Sequence, residues 1–263
     1  VLFRRQRQMC IRDSTRNYRP ITFKNIIVKM QLFYNSKIKA NDKTFSFDKN
    51  ESRHIIKVLR KKIHDKIFIS NGLGCIFEAE INSENQNKCE VSILNVSVEK
   101  PKDFKIHLAV APTKLNDRFE WFIEKATEIG VDIITPIFCT NSERKIIMEE
   151  RFQKILESAA KQSLRAHFPV LKKAISFKEF IALTPKENCF IAHCCEETKK
   201  PLKELAPYKK NTIVMIGPEG DFSLEEIQIA KNSGFRSVSL GKARLRTETA
   251  AIVACHTLQL YNE

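Results

Sequence analysis

Beyond residue 101 the chain repeats one pattern, short and mostly apolar runs separated by helical stretches. The runs are 105-KIHLAVA-111, 132-DIITPIF-138, 188-NCFIAH-193, 212-TIVMIG-217 and 236-RSVSLG-241. A strand with one wet face alternates apolar and polar residues, whereas a strand covered on both faces is apolar nearly throughout. These runs therefore predict an α/β fold, a parallel sheet with helices on both sides. Between them, Leu115, Phe119, Phe122, Ala126 and Ile129 keep the spacing that gives a helix one apolar stripe, and Gly130 follows as a stop. Ser176-x-x-Glu179 and Ser223-x-x-Glu226 each predict a capping box at a helix start. The last helix, 249-TAAIVACHTLQL-260, is apolar almost all round and is expected to be buried.

Before that boundary the signals are short and β-like. The run 43-KTFSFD-48 alternates, 66-KIFISNGLGCIFEAEI-81 reads as two strands around a hairpin at Asn71-Gly72-Leu73-Gly74, and 89-CEVSILNVSV-98 alternates again. One helix is expected at 51-ESRHIIKVLRKK-62. The sum is a small β-barrel over 30–100, with Pro101-Lys102-Asp103 marking its end and a second domain over 101–263. Arg53, Lys57, Arg60, Lys61 and Lys62 crowd onto the helix and its exit, as a solvated face or as a surface for RNA.

Charge is unevenly placed. Residues 1–29 carry a net charge of +7, half of the chain's +14. Such an arm suits nucleic acid, but VLFRRQRQMCIRDS resembles translated adapter sequence, and Met30 opens a well-patterned stretch. The arm is therefore expected to be extraneous to the fold. The remaining basicity points to a polyanionic partner. The eight cysteines form no CxxC pair, and Cys194-Cys195 are the only neighbours, so they are expected to be buried, reduced thiols of a cytoplasmic protein. No apolar run approaches the roughly 18 residues of a membrane span.

Several chemistries are excluded by motif. There is no G-x-x-x-x-G-K-[ST], no HExxH and no G-x-S-x-G, and the first α/β strand runs into Ala111-Pro112-Thr113-Lys114 rather than G-x-G-x-x-G. The six histidines show no ligand spacing and read as structural, His54 excepted for its basic neighbours. Two strand–loop–helix junctions remain, Ile216-Gly217-Pro218-Glu219-Gly220-Asp221 and 240-LGKARLRTETAA-251. Both loops leave the carboxyl ends of strands, where open α/β sheets bind ligands. Carboxylates in the first loop speak against a phosphate there. The first loop alone reads equally well as a tight turn; together the two point to a pocket.

These two loops resemble the signature loops of the ribosomal RNA small subunit methyltransferase E family. RHIIKVLR in the barrel, FEWFIEKATEIGV at 119–131 and SAAKQSLR at 158–165 extend the resemblance from about Met30 to Tyr261. Two positions depart from the family pattern: Asp221, where a second glycine is frequent, and Leu164, where glycine is common. The resemblance implies a PUA-like β-barrel followed by a SPOUT-type α/β domain ending in a trefoil knot. It further implies S-adenosylmethionine as cofactor and methylation of N3 of one uridine in the decoding region of 16S ribosomal RNA. Ile216, Gly217, Glu219, Gly220, Leu240, Gly241, Leu245 and Thr249 would hold the cofactor. Arg246 would stabilise the charge on the base, with Glu248 as base or arginine orienter, or, like Thr247, only a helix cap. Arg53, His54, Lys57, Arg60, Arg144 and Arg165 would contact RNA. A homodimer is implied and no metal is required. A non-catalytic ribosome-assembly protein of the same fold, and an enzyme methylating another RNA position, stay open as alternatives.

Overall fold

The computed structural model describes residues 31–263, so the expectations for the basic arm lie outside the described residues. The first sheet contains β1 (Leu32–Tyr34), β2 (Thr44–Ser46), β3 (Lys66–Ser70), β4 (Cys75–Ser83) and β5 (Glu90–Val98), in the order β1-β3-β4-β5-β2. Period-two alternation turns Phe77, Ala79 and Ile81 of β4 into one core with Ile67, Ile69 and Val91. Phe33, in β1, meets Phe47, just after β2, edge to face at 5.9 Å, and Ile55 is buried in the same core.

The helix expected at 51–62 is shorter and begins earlier. Asp48 caps α1 (Lys49–Arg53) by accepting the Glu51 amide at 2.9 Å, and a π-helical turn follows over His54–Val58. Arg60 then takes a left-handed conformation, φ 53°, which ends the helix and leaves Lys61 and Lys62 beyond it.

The second sheet is parallel throughout. Its main strands are β6 (Ile106–Val110), β7 (Ile133–Phe138), β10 (Cys189–Ala192), β12 (Thr212–Ile216) and β13 (Arg236–Ser239). Short strands β8 (Val170–Leu171), β9 (Ile175–Ser176) and β11 (Lys200–Pro201) complete it. The order is β11-β13-β10-β12-β6-β7-β8, with β9 on β7. Alternate residues of each strand feed different cores. Ile106, Leu108 and Val110 of β6 join Phe119 and Phe122 of α2 (Asn116–Ile129), Phe152 of α3 (Glu149–Gln162) and Leu258 of α7 (Thr247–Asn262). Ala109 faces the other way, with Phe177 and Phe180 of α4 (Phe177–Leu183) and Ile227 of α6 (Leu224–Asn232). Both expected capping boxes are formed, at Ser176 with Glu179 and at Ser223 with Glu226.

The expectation for the last helix needs correction. Ala251, Ala254, Cys255 and Leu258 of α7 are fully buried, but Leu260 is 62% exposed and His256 is exposed too. The single chain covers only one side of an otherwise apolar helix. The thiol expectation also needs an amendment, because Cys194 is exposed while Cys89, Cys139, Cys189 and Cys255 are buried.

The barrel is fastened to the α/β domain through its hairpin tip, which bonds to the segment between α3 and β8. The Gly74 amide donates to Ala166 O at 3.0 Å, and the Phe168 amide donates to Gly72 O at 2.9 Å, flanking a bridge between Leu73 and His167. The Phe168 ring stacks on Tyr34 at 4.5 Å. Behind this strap Arg165 donates to Thr127 O at the end of α2, and Leu164 turns the chain with φ 55°.

Candidate active site

Ala192, Ile216 and Ser239 end three adjacent strands, β10, β12 and β13, so the loops that follow them converge. They enclose a cleft of about 890 Å³ lined by residues 192–197 and 199, 216–219 and 221, and 238–247 among others. The Thr247 hydroxyl donates to Gly217 O at 3.0 Å and ties the two glycine loops together. Thr247 thus acts as a loop tie, and α7 begins without a side-chain cap at Arg246.

The two glycines serve different ends. A Cβ at Gly217 would meet the Phe222 ring at 3.0 Å and the Phe222 nitrogen at 3.2 Å, so close packing excludes it. Gly241 has φ 139°, and among the described residues no atom lies within 4 Å of where its Cβ would stand. Its backbone is therefore bare towards the cleft.

The carboxylates of the first loop bond to backbone. Glu219 accepts the Lys114 amide at 2.9 Å, and Asp221 accepts the Cys194 amide at 2.7 Å and its neighbour Phe222's at 2.8 Å. Each holds an adjacent loop against the cleft. Asp221 adopts φ 62°, in the left-handed region that aspartate tolerates better than most residues. On the opposite wall His193 shares Nε2 with Ser237 Oγ and Glu197 Oε1, both at 3.0 Å. Burial, reinforced by Lys199, lowers the His193 pKa; hydrogen bonding from Lys231 holds Glu197 down to about 2.

Of the residues expected to hold a cofactor, Ile216, Gly217, Glu219, Leu240, Gly241 and Leu245 line this cleft. Gly220 does not; it packs against Asn141, whose amide donates to Gly220 O at 3.2 Å. Thr249 lies instead in a second cleft of about 650 Å³, with Asp117, Arg118, Trp121 and Glu248. Arg244, Leu245 and Arg246 line both clefts, and Arg246 is exposed. Glu248 is buried to 8% exposure; Arg118 Nε stands 3.8 Å from its Oε1, and its Oε2 has no partner.

The expected RNA contacts separate into two groups. Arg53, Lys57 and Arg60 are exposed on the barrel, with His54 half-buried beside Glu51 at 3.3 Å. Arg144 donates to Lys114 O at 2.8 Å, and Arg165 to Thr127 O and His167 O. Those two arginines are engaged with backbone carbonyls within the chain, and Arg165 lines neither cleft. Sequence reasoning missed Arg118 and Trp121, although Asp117, Arg118 and Trp121 have the three- and four-residue spacing of one helix face. Among the described residues no cluster of potential metal ligands occurs.

Residues 99–259 match the model of an RNA methyltransferase domain, and 47–94 match an RNA methyltransferase PUA domain. The chain is 36% identical to ribosomal RNA small subunit methyltransferase E of Mesomycoplasma hyopneumoniae, across 64% of this chain and 74% of that one. The chain belongs to the ribosomal RNA small subunit methyltransferase E family. Its fold agrees with the family's solved members, PUA-like and SPOUT-type α/β. The crystal structure of a probable rRNA-methyltransferase from Porphyromonas gingivalis superposes with a TM-score of 0.80 at 40% identity, covering 88% of this chain and 99% of that one. The family enzyme of Neisseria gonorrhoeae, solved bound to S-adenosyl methionine, gives 0.78 at 27% identity, covering 88% and 97%.

Proposed function

We propose that this chain methylates N3 of a uridine in the decoding region of 16S ribosomal RNA, using S-adenosylmethionine. The observation that carries the reading is the Thr247–Gly217 tie, which joins both glycine loops into one cleft, with Arg246 shared between it and the second cleft that holds Glu248. The cleft suits the cofactor. Ala192, Ile216, Val238, Leu240 and Leu245 offer apolar walls to a nucleoside, and Gly241 leaves backbone open to it. When bound, the cofactor supplies an electrophilic methyl group on a sulfonium cation. Nearby Glu219 and Asp221 favour a cation over a phosphate.

The chain's own residues then manage charge and proton. Uracil N3 carries a weakly acidic hydrogen, which Glu248 accepts through its unpartnered oxygen. Negative charge spreads to O2 and O4 as that proton leaves, and the Arg246 guanidinium stabilises it. Arg53, Lys57 and Arg60, with His54, hold flanking phosphates and so fix register without reading sequence. Apolar residues left outside on α7, Leu260 among them, suit a homodimer formed through that face. Among the described residues no helix is long and apolar enough to cross a membrane, and the reading places the enzyme with its ribosomal substrate in the cytoplasm.

The test is methylation of small ribosomal subunits with labelled S-adenosylmethionine, followed by nuclease digestion and mass spectrometry. Label on N3 of one uridine is expected. Label on any other atom refutes the assignment, and cofactor binding without transfer to RNA favours a non-catalytic assembly role.

A further inference from the structure

The second cleft contains an unsatisfied group. Glu248 is more than nine-tenths buried, yet its Oε2 has no hydrogen-bond partner. Buried polar atoms are almost always paired, and an orphan acceptor is costly unless a ligand donates to it. Arg118 stands on one side of this carboxylate, 3.8 Å from Oε1, with its side chain 36% exposed. Arg246 lines the same cleft from the loop before α7. One turn beyond Arg118 on the same face of α2 is Trp121, the chain's only tryptophan, 45% exposed. A planar surface, a buried acceptor and three guanidiniums thus border one cavity, which shares Arg244, Leu245 and Arg246 with the cofactor cleft.

We infer that this second cleft is the pocket for the unstacked target base, in which Trp121 stacks on the ring and Arg118 reads one of its carbonyls. The inference rests on the uridine reading above and adds residues to it. The pairing edge of uracil presents acceptor, donor, acceptor, in O2, N3–H and O4. The cleft offers complementary groups, the guanidiniums of Arg118 and Arg246 as donors and the carboxylate of Glu248 as acceptor. Cytosine fails here, because its N3 sets a lone pair against the carboxylate. Sites built around a hydrogen-bonded group discriminate strongly against a base lacking it, because their own buried atoms are then left unpaired. Stacking on tryptophan tolerates any base, so it contributes affinity while the charged trio contributes choice.

The lone tryptophan makes the pocket directly observable. With S-adenosylhomocysteine present, titration with a single-stranded RNA nonamer carrying one central uridine should quench Trp121 emission. A matched nonamer with central cytidine should need at least about tenfold more RNA. Arg118→Ala should lower kcat/KM on small ribosomal subunits by about a hundredfold or more, Arg118→Lys should restore part of it, and calorimetric S-adenosylmethionine affinity should stay unchanged in both. Wild-type kinetics in Arg118→Ala, or emission insensitive to uridine RNA, overturns the inference. So does an emission change that follows protein dilution instead of RNA, since it would mark Trp121 as a contact between copies of the chain. Failure of the underlying reading is distinguishable, because wild-type protein would then place no methyl group on uridine N3.

Discussion

A single methyl group added at Gly217 tests whether the cleft depends on close packing behind its first loop. In Gly217→Ala the new Cβ would stand 3.0 and 3.1 Å from two Phe222 ring carbons and 3.2 Å from the Phe222 nitrogen. Carbon atoms settle at about 3.5–4.0 Å, so the ring has to retreat by roughly half an ångström. It has nowhere to go. Phe222 is 3% exposed, its ring packs on Phe177 at 5.9 Å, and its amide is bonded to Asp221 Oδ1. Overpacking of this kind costs about 1–3 kcal/mol, and each kcal/mol moves Tm by about 2–4 °C in a chain of this size. A Tm loss of roughly 2–12 °C is expected by scanning calorimetry. Because Gly217 O accepts the Thr247 hydroxyl, displacement disturbs both loops, and titration calorimetry should show weaker S-adenosylmethionine binding. Gly241→Ala is the control: its φ of 139° strains alanine, but nothing obstructs the Cβ, so its Tm should fall by less. Unchanged Tm and affinity in Gly217→Ala would refute the packing argument.

Arg246→Ala should retain cofactor binding in calorimetry and lose about 10²–10³-fold in kcat on small ribosomal subunits, as expected of a group that stabilises developing charge. His107 tests acid stability: burial, with Lys172 adding, lowers its pKa to about 4, and Nε2 lies 2.8 Å from Thr135 Oγ1. Between its unfolded value near 6.5 and about 4 the unfolded state binds the extra proton, so stability is full above pH 6.5 and falls on acidification, by roughly 3 kcal/mol. Urea titrations across that window should show a shallower decline in His107→Gln than in the parent. Leu260→Asp, on the exposed side of α7, should convert a dimer into monomers in sedimentation velocity without lowering the Tm of the monomer.

The α/β core was legible because a doubly covered parallel sheet imposes one composition on every strand, and both serine caps were legible because their chemistry is local. Less local features escaped. Asp48 lies outside the periodic run it caps, and the π-helical turn at His54–Val58 leaves no mark on apolar spacing. Glu219 and Asp221 were legible as carboxylates in a glycine loop, but their partners, the amides of Lys114 and Cys194, come from loops distant in sequence. Asp221 and Leu164, the two positions where the resemblance leads one to expect glycine, both have positive φ, a conformation glycine adopts freely. Arg118 and Trp121 were hidden by the apolar stripe of their own helix, which drew attention to the opposite face.

The strap between the barrel's hairpin tip and residues 166–168 is made of backbone bonds, reinforced by a stacked ring pair, so its hydrogen bonds do not depend on side-chain rotamers. It turns the two halves of the molecule into the jaws of a caliper set at one opening. An RNA that is to touch Arg53 and Lys57 with its phosphates and offer a base beside Arg246 must already hold those parts at that span. A flexible strand would forfeit its freedom to do so, whereas a prefolded one arrives at the right gauge. On this view the enzyme measures the architecture of its substrate before any base is read.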